Sequence, residues 1–242
     1  MGKFLIFGGG GKVARHFARL ASAEGHQVVS VVRNDTHSAD LKSLGAIPAV
    51  LSLEDAGVPD ITNLLAQHRP DAVIFAAGAG GKGDKSRTRK VDYEGAVKVF
   101  DALESANTKR LVLVSSTDTR KRDGPYPAHY NEESKKQSDK VWETIPEYMQ
   151  AKYDADVELH RRKAIQFTVV RPGWLTEEPA KGAQAGITQI EKTSRELVAK
   201  ALLFLAQEPK AAGLTIDLMD GDNDLASELH RVVEEQTDAW TG

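Results

Sequence analysis

An α/β fold with a parallel sheet covered by helices on both faces is predicted by three observations. Short apolar runs alternate with amphipathic segments along the chain, the runs are nearly continuous in apolar residues, and the first breaks directly into four glycines, Gly8 to Gly11. Strands buried on both faces need such runs, and right-handed βαβ crossovers supply the covering helices.

The strand candidates, in order, are "KFLIF", "QVVSVV" (27 to 32), "IPAVL" (47 to 51), "DAVIFAA" (71 to 77), "RLVLVSS" (110 to 116), "QFTVVRP" (166 to 172) and "LTIDLM" (214 to 219). Spacing near 3.6 predicts helices at about 11 to 24, 36 to 45, 59 to 68, 88 to 107, 146 to 163, 193 to 207 and 223 to 239. No repeat or linker divides residues 1 to 242, so a single domain is expected. Two polar connections, 117 to 145 and 173 to 192, follow the fifth and sixth strands and read as substrate-side insertions, because open α/β sheets bind ligands beyond the carboxyl ends of their strands.

Composition narrows the partners. A net charge of -3 lacks the basic excess of a nucleic-acid binder, and the absence of cysteine excludes disulfides, a thiol nucleophile and cysteine zinc sites. "FLIF" is far shorter than a membrane span, so a soluble, cytoplasmic protein with a small-molecule partner is expected. The seven histidines are scattered without metal-ligand spacing, so no metal is expected.

In "FGGGGKVA", Gly8, Gly11 and Ala14 form G-x-x-G-x-x-A between a strand and a helix. Glycine permits the tight turn and lets a pyrophosphate approach amide groups at the positive helix end, so a dinucleotide is expected against Gly8, Gly9, Gly10 and Gly11. At the end of the second strand, where an acidic residue would select a free ribose 2'-hydroxyl, "VVSVVRND" places Arg33. Its guanidinium suits a 2'-phosphate, which favours NADP over NAD, with Asn34 and Lys12 as helpers; a solvent-facing arginine is the alternative.

Together with "FAAGAGG" (75 to 81), "VDYEGAVKVFDALESANTKRLVLVSS" (91 to 116) and "FTVVRPGWLTEEP" (167 to 179), these residues resemble the atypical, extended-type short-chain dehydrogenase/reductases, nearest the NmrA-like and flavin-reductase-like NAD(P)-binding proteins. The resemblance covers nearly the whole chain. It implies a Rossmann fold, a doubly wound parallel sheet of strand order 3-2-1-4-5-6-7. It further implies that Gly8 to Val13 hold the pyrophosphate, Ser52 and Leu53 border the adenine, and Ala76, Ala77 and Gly78 the ribose side, with Ser115 also toward the cofactor and Pro172, Gly173, Trp174 and Leu175 at the nicotinamide end. Family members usually carry Ala-Thr where this chain has Gly9-Gly10, and Asp where it has Ser52.

Active members of that superfamily use Tyr-x-x-x-Lys with a serine or threonine. "EYMQAK" supplies Tyr148 and Lys152 on one helical face; the ammonium is expected to lower the phenol's pKa, while Ser116 or Thr117 orients the substrate oxygen. A surface tyrosine beside a solvated lysine is the competing reading. Tyr153 lacks a lysine four residues on. Trp174 is a substrate-pocket candidate, His129 a loop histidine within reach of substrate or simply solvated, and "KGDKSRTRK" (82 to 90) a basic stretch near the cofactor. Two functions follow: an NADP(H)-dependent oxidoreductase acting on a small carbonyl, imine, quinone or flavin-like substrate, or an NADP(H) sensor without turnover that signals through a protein partner.

Overall fold

The protein is described by a computed structural model over residues 1–79 and 85–242; residues 80 to 84, which include part of the basic stretch, lie outside the described residues. Its sheet has eight strands. Seven are parallel: β1 (Lys3–Phe7), β2 (Gln27–Val32), β3 (Ile47–Val50), β4 (Ala72–Phe75), β5 (Arg110–Val114), β6 (Gln166–Pro172) and β10 (Thr215–Asp220). Their order is β3-β2-β1-β4-β5-β6-β10, and β8 (Ala183–Gly186) pairs antiparallel with β10 at the edge. β7 (Trp174–Thr176) and β9 (Lys192–Ser194) form a separate parallel pair.

Alternation along each strand feeds two cores. In β1, Phe4 and Ile6 pack toward α1 (Lys12–Ala23), α2 (Ser38–Ser43), α8 (Arg195–Ala206) and α9 (Leu225–Glu234). Leu5 and Phe7 pack toward α3 (Val58–His68), α5 (Gly95–Ser105) and α7 (Pro146–His160). A short helix α4 (Lys85–Thr88) runs through a π-helical segment, Arg89–Glu94, into α5. The seven expected strands and helices are all present within a few residues of their expected bounds.

The polar connections hold more structure than their sequence predicts. Residues 117 to 145 contain α6 (Glu132–Thr144), whose buried positions are Ser134, Ser138 and Trp142. That stripe has helical spacing but only one apolar residue, so it carries no hydrophobic period. Asn131 caps it, accepting from the Ser134 N–H at 2.8 Å. The connection from 173 to 192 contributes β7, β8 and the start of β9, strands too short to announce themselves. Among the described residues, no helix is long and apolar enough to cross a membrane, and no group of three or more His, Asp or Glu side chains is placed to hold a metal ion.

Candidate active site

At the carboxyl end of β1 the chain turns through Gly8, whose φ of 80° lies in the left-handed region. A Cβ there would stand 2.6 Å from Ala77 Cα and 2.7 Å from Ala76 O, so glycine is required to pass the β4 loop. Gly9 donates to Val31 O at 2.8 Å, and its α-carbon faces Ser30 of β2. Gly11 donates to Gly8 O at 2.8 Å and begins α1 without a side-chain cap. The first turn of α1 therefore presents amide donors to whatever lies above the loop, and it carries no acidic residue to repel an anion.

Above the loop lies a cavity of about 530 Å³. Gly8, Gly10 and Gly11 form one wall, Ala76, Ala77 and Gly78 another, and Arg33 and Asn34 a third. Small glycine and alanine walls and the helix-start amides at the strand ends suit a phosphate-bearing nucleotide. Arg33 is exposed and has no ion-pair or hydrogen-bond partner among the described residues, whereas the Asn34 side chain caps a turn by accepting from the Thr36 N–H at 3.3 Å. Lys12 stands apart from the cavity wall, 2.6 Å from Glu177 Oε1 on the surface, and half-buried Val13 packs against the core.

Beyond β3 the wall is Leu51, Leu53 and Glu54; Ser52, expected to border the adenine, is not part of it, and its carbonyl closes a turn with the Asp55 and Ala56 N–H groups. Strand-like alternation turns Leu51 and Leu53 to one side and Ser52 to the other. Arg87 of α4 reaches across to Glu54, with Nε and Nη2 each 2.9 Å from Oε1, and donates to Ala79 O at 3.3 Å. This is the fate of one cation of the basic stretch; Arg89 pairs with Asp154 at 3.1 Å.

Tyr148 and Lys152 share a face of α7, with Lys152 Nζ 5.6 Å from the Tyr148 ring centroid. Lys152 is almost fully buried, donates to Val114 O at 3.2 Å and stands 3.2 Å from Asp92 Oδ1. Asp92 lies in the π-helical segment, is 1% exposed and accepts from the Ala79 N–H at 2.9 Å, so it ties the lysine to the lip of the nucleotide cavity. Burial by itself would lower the Lys152 pKa; Asp92 and then Tyr148 outweigh it and hold the ammonium charged.

The expected lowering of Tyr148 is corrected. Burial raises its pKa, Lys152 opposes this, and the charges of Asp92 and Asp156 add to the rise, so the phenol stays protonated at neutral pH. Its hydroxyl has no hydrogen-bond partner among the described residues. Asp156, one further turn along the same face, is fully buried and accepts from Ser115 Oγ and Thr119 Oγ1, both at 2.7 Å. Burial lifts it to about 6 against those hydrogen bonds.

The three hydroxyls after β5 thus have different fates. Ser115 is spent on Asp156, and Thr117 donates to Arg171 O at 3.1 Å, while half-buried Ser116 has no side-chain partner among the described residues. Of the two candidates for orienting substrate, only Ser116 keeps its hydroxyl available. At the end of β6, buried Pro172 leads into Gly173, where a Cβ would run into the Glu191 carbonyl of the β9 approach. Trp174 and Leu175 follow, each about two-fifths exposed. Trp174 lines a shallow groove with Glu191, Lys192 and α6, apart from the nucleotide cavity. His129 leans edge-on against Tyr130, 4.8 Å between centroids, with its Nε2 buried and without a hydrogen-bond partner among the described residues.

Sequence reasoning missed Asp92, Asp156, Glu54 and His37, the last of which also lines the cavity, whereas Arg87 belongs to the basic stretch expected near the cofactor. For Asp156 a signal existed, since Tyr148, Lys152 and Asp156 recur every four residues. Asp92 carried none: an acid in a helix reads as a solvated face.

A family model described as NAD(P)H-binding matches residues 8–209. The UPF0659 protein C216.03 of Schizosaccharomyces pombe is 42% identical over 222 residues, 90% of each chain. The uncharacterized sugar epimerase YhfK of Bacillus subtilis is 28% identical, over 95% of this chain and all of that one. Among solved structures, a Bacillus halodurans protein described as an NAD-dependent epimerase/dehydratase superposes with a TM-score of 0.80 at 30% identity, covering 97% of this chain and all of its own.

Proposed function

The chain belongs to the NAD(P)H-binding family, and on that premise we propose that it is an NADP(H)-dependent oxidoreductase reducing a small carbonyl, imine, quinone or flavin-like substrate. What supports turnover is one juxtaposition: the unpartnered Tyr148 hydroxyl beside a charged Lys152, which Asp92 tethers to the lip of the nucleotide cavity.

The nicotinamide, when bound, supplies or withdraws a hydride. The glycine loop and the start of α1 hold the pyrophosphate, and Arg33 holds the 2'-phosphate. Tyr148, protonated at neutral pH, gives its proton to the substrate oxygen as that oxygen becomes anionic. Lys152 offsets the phenolate charge so formed, and the Ser116 hydroxyl donates to the same oxygen.

The experiment is a titration with NADPH followed by turnover against ketones, quinones and flavins. Tyr148→Phe should cut kcat at least ~100-fold while the NADPH Kd stays within ~2-fold. Arg33→Ala should lower the NADPH to NADH affinity ratio about tenfold or more. One observation favours a second reading, a sensor without turnover: the Lys152 ammonium is already engaged by Asp92 and Val114 O. NADPH binding with no turnover on any substrate of the panel would select it.

A further inference from the structure

Gly9 and Gly10 make room for different neighbours. A Cβ on Gly9 would lie 2.7 Å from Ser30 Cβ; one on Gly10 would lie 2.6 Å from His37 Cδ2 and 3.5 Å from His37 Nε2. The edge of the His37 imidazole therefore rests on the backbone of Gly10. His37 closes the short 3-10 turn Asp35–His37 that follows β2, and Arg33, Asn34, Thr36 and His37 together line one side of the nucleotide cavity.

The ring's donor pattern is set from α1. Arg15 Nη2 lies 3.4 Å from His37 Nδ1 and 2.8 Å from Asp40 Oδ2. A guanidinium only donates, so Nδ1 accepts and the neutral ring carries its proton on Nε2. His37 lines the cavity together with Arg33, and its Nε2 edge lies beside Gly10. A ring donor and an unpartnered guanidinium on one wall call for an acceptor-rich group. A free ribose 2'-hydroxyl would want a carboxylate there, yet Asp35 is not among the walls, and Glu54, on the opposite side, is taken by Arg87.

We propose that His37 is a specificity-determining residue for the nucleotide, donating from Nε2 to the phosphate on the adenosine 2'-carbon that Arg33 holds from the other side. This rests on the NADP(H) reading above. Glycine at position 10 is then the companion of His37, because any side chain there displaces the ring.

The full-length protein is titrated with adenosine 2',5'-bisphosphate and with adenosine 5'-monophosphate, two ligands that isolate the 2'-phosphate without any turnover. His37→Ala should weaken the bisphosphate about tenfold and the monophosphate by less than about twofold. His37→Gln, which keeps a donor, should recover part of the loss. Equal effects of His37→Ala on both ligands, or none on either, overturn the assignment; should that variant not fold, the same comparison is made with His37→Phe, which keeps a ring and removes both nitrogens. A wild-type protein with no preference for the bisphosphate is a separate result, which refutes the NADP(H) reading itself.

Discussion

Around the nucleotide cavity the chain presents backbone amides and small side chains, and it leaves Arg33 without a partner among the described residues. Beyond β5, β6 and β10 many of the polar groups pair with one another, Ser116 and the Tyr148 hydroxyl being exceptions among the described residues. Asp118, 3% exposed, meets Arg120 Nε at 3.0 Å, Ser138 Oγ at 2.6 Å and Trp142 Nε1 at 3.0 Å; Arg171 Nε meets Asp217 Oδ1 at 2.7 Å. Gln189 braces the two long connections, donating to His129 O at 2.6 Å and accepting from Asn131 N–H at 2.9 Å. The difference separates two ways of building a site: vacant donors await a ligand, whereas a satisfied network fixes the walls that face it.

The sharpest way to break this contrast is on the substrate side. Arg171→Ala leaves Asp217 buried without its cation and strips a donor from Ala239 O, so it should cost about 3–5 kcal/mol by urea unfolding. A loss under ~1 kcal/mol would mean that the network is not what holds these walls.

On the nucleotide side, Gly8→Ala combines a left-handed φ with a clash against Ala77 and should cost at least ~2 kcal/mol, with NADPH affinity falling at least tenfold. Arg33→Ala, the binding variant already named, should stay within ~0.5 kcal/mol of wild type, since the side chain is exposed and holds nothing in the fold. Binding and stability then separate at Arg33 but not at Gly8.

Between the two regions stands Asp156. Its folded pKa, about 6, lies above the ordinary carboxylate value, so the native state takes up a proton. Stability from this group is fullest below about pH 4 and is lost as pH rises through 6. Asp156→Asn keeps an acceptor for Ser115 and Thr119 without the charge, so from pH 5 to 7.5 the stability gap should move by ~1–2 kcal/mol in the variant's favour. A gap that does not move with pH would show that Asp156 is not held near 6.

Legibility in the sequence followed hydrophobic period. Six of the seven parallel strands could be read because burial on both faces leaves continuous apolar runs, and the edge strand β3 because its run is apolar although Ile47 and Val50 stay exposed; α6, buried through two serines and a tryptophan, could not. The glycine loop was readable because strand, glycines and helix are contiguous, and Arg33 because it ends a strand. Tyr148 and Lys152 could be placed on one face by spacing alone, but their electrostatics could not: Asp92 reaches Lys152 only through the contact between α7 and the π-helical segment.

By itself, the sequence determined the layer architecture, the glycine turn and the cation after β2, because each rests on neighbours along the chain. Tertiary structure alone decided which hydroxyl after β5 stays free, that burial raises rather than lowers the Tyr148 pKa, and that His37 comes to lie on Gly10. Burial and cross-element pairing fix those outcomes, and neither leaves a local pattern.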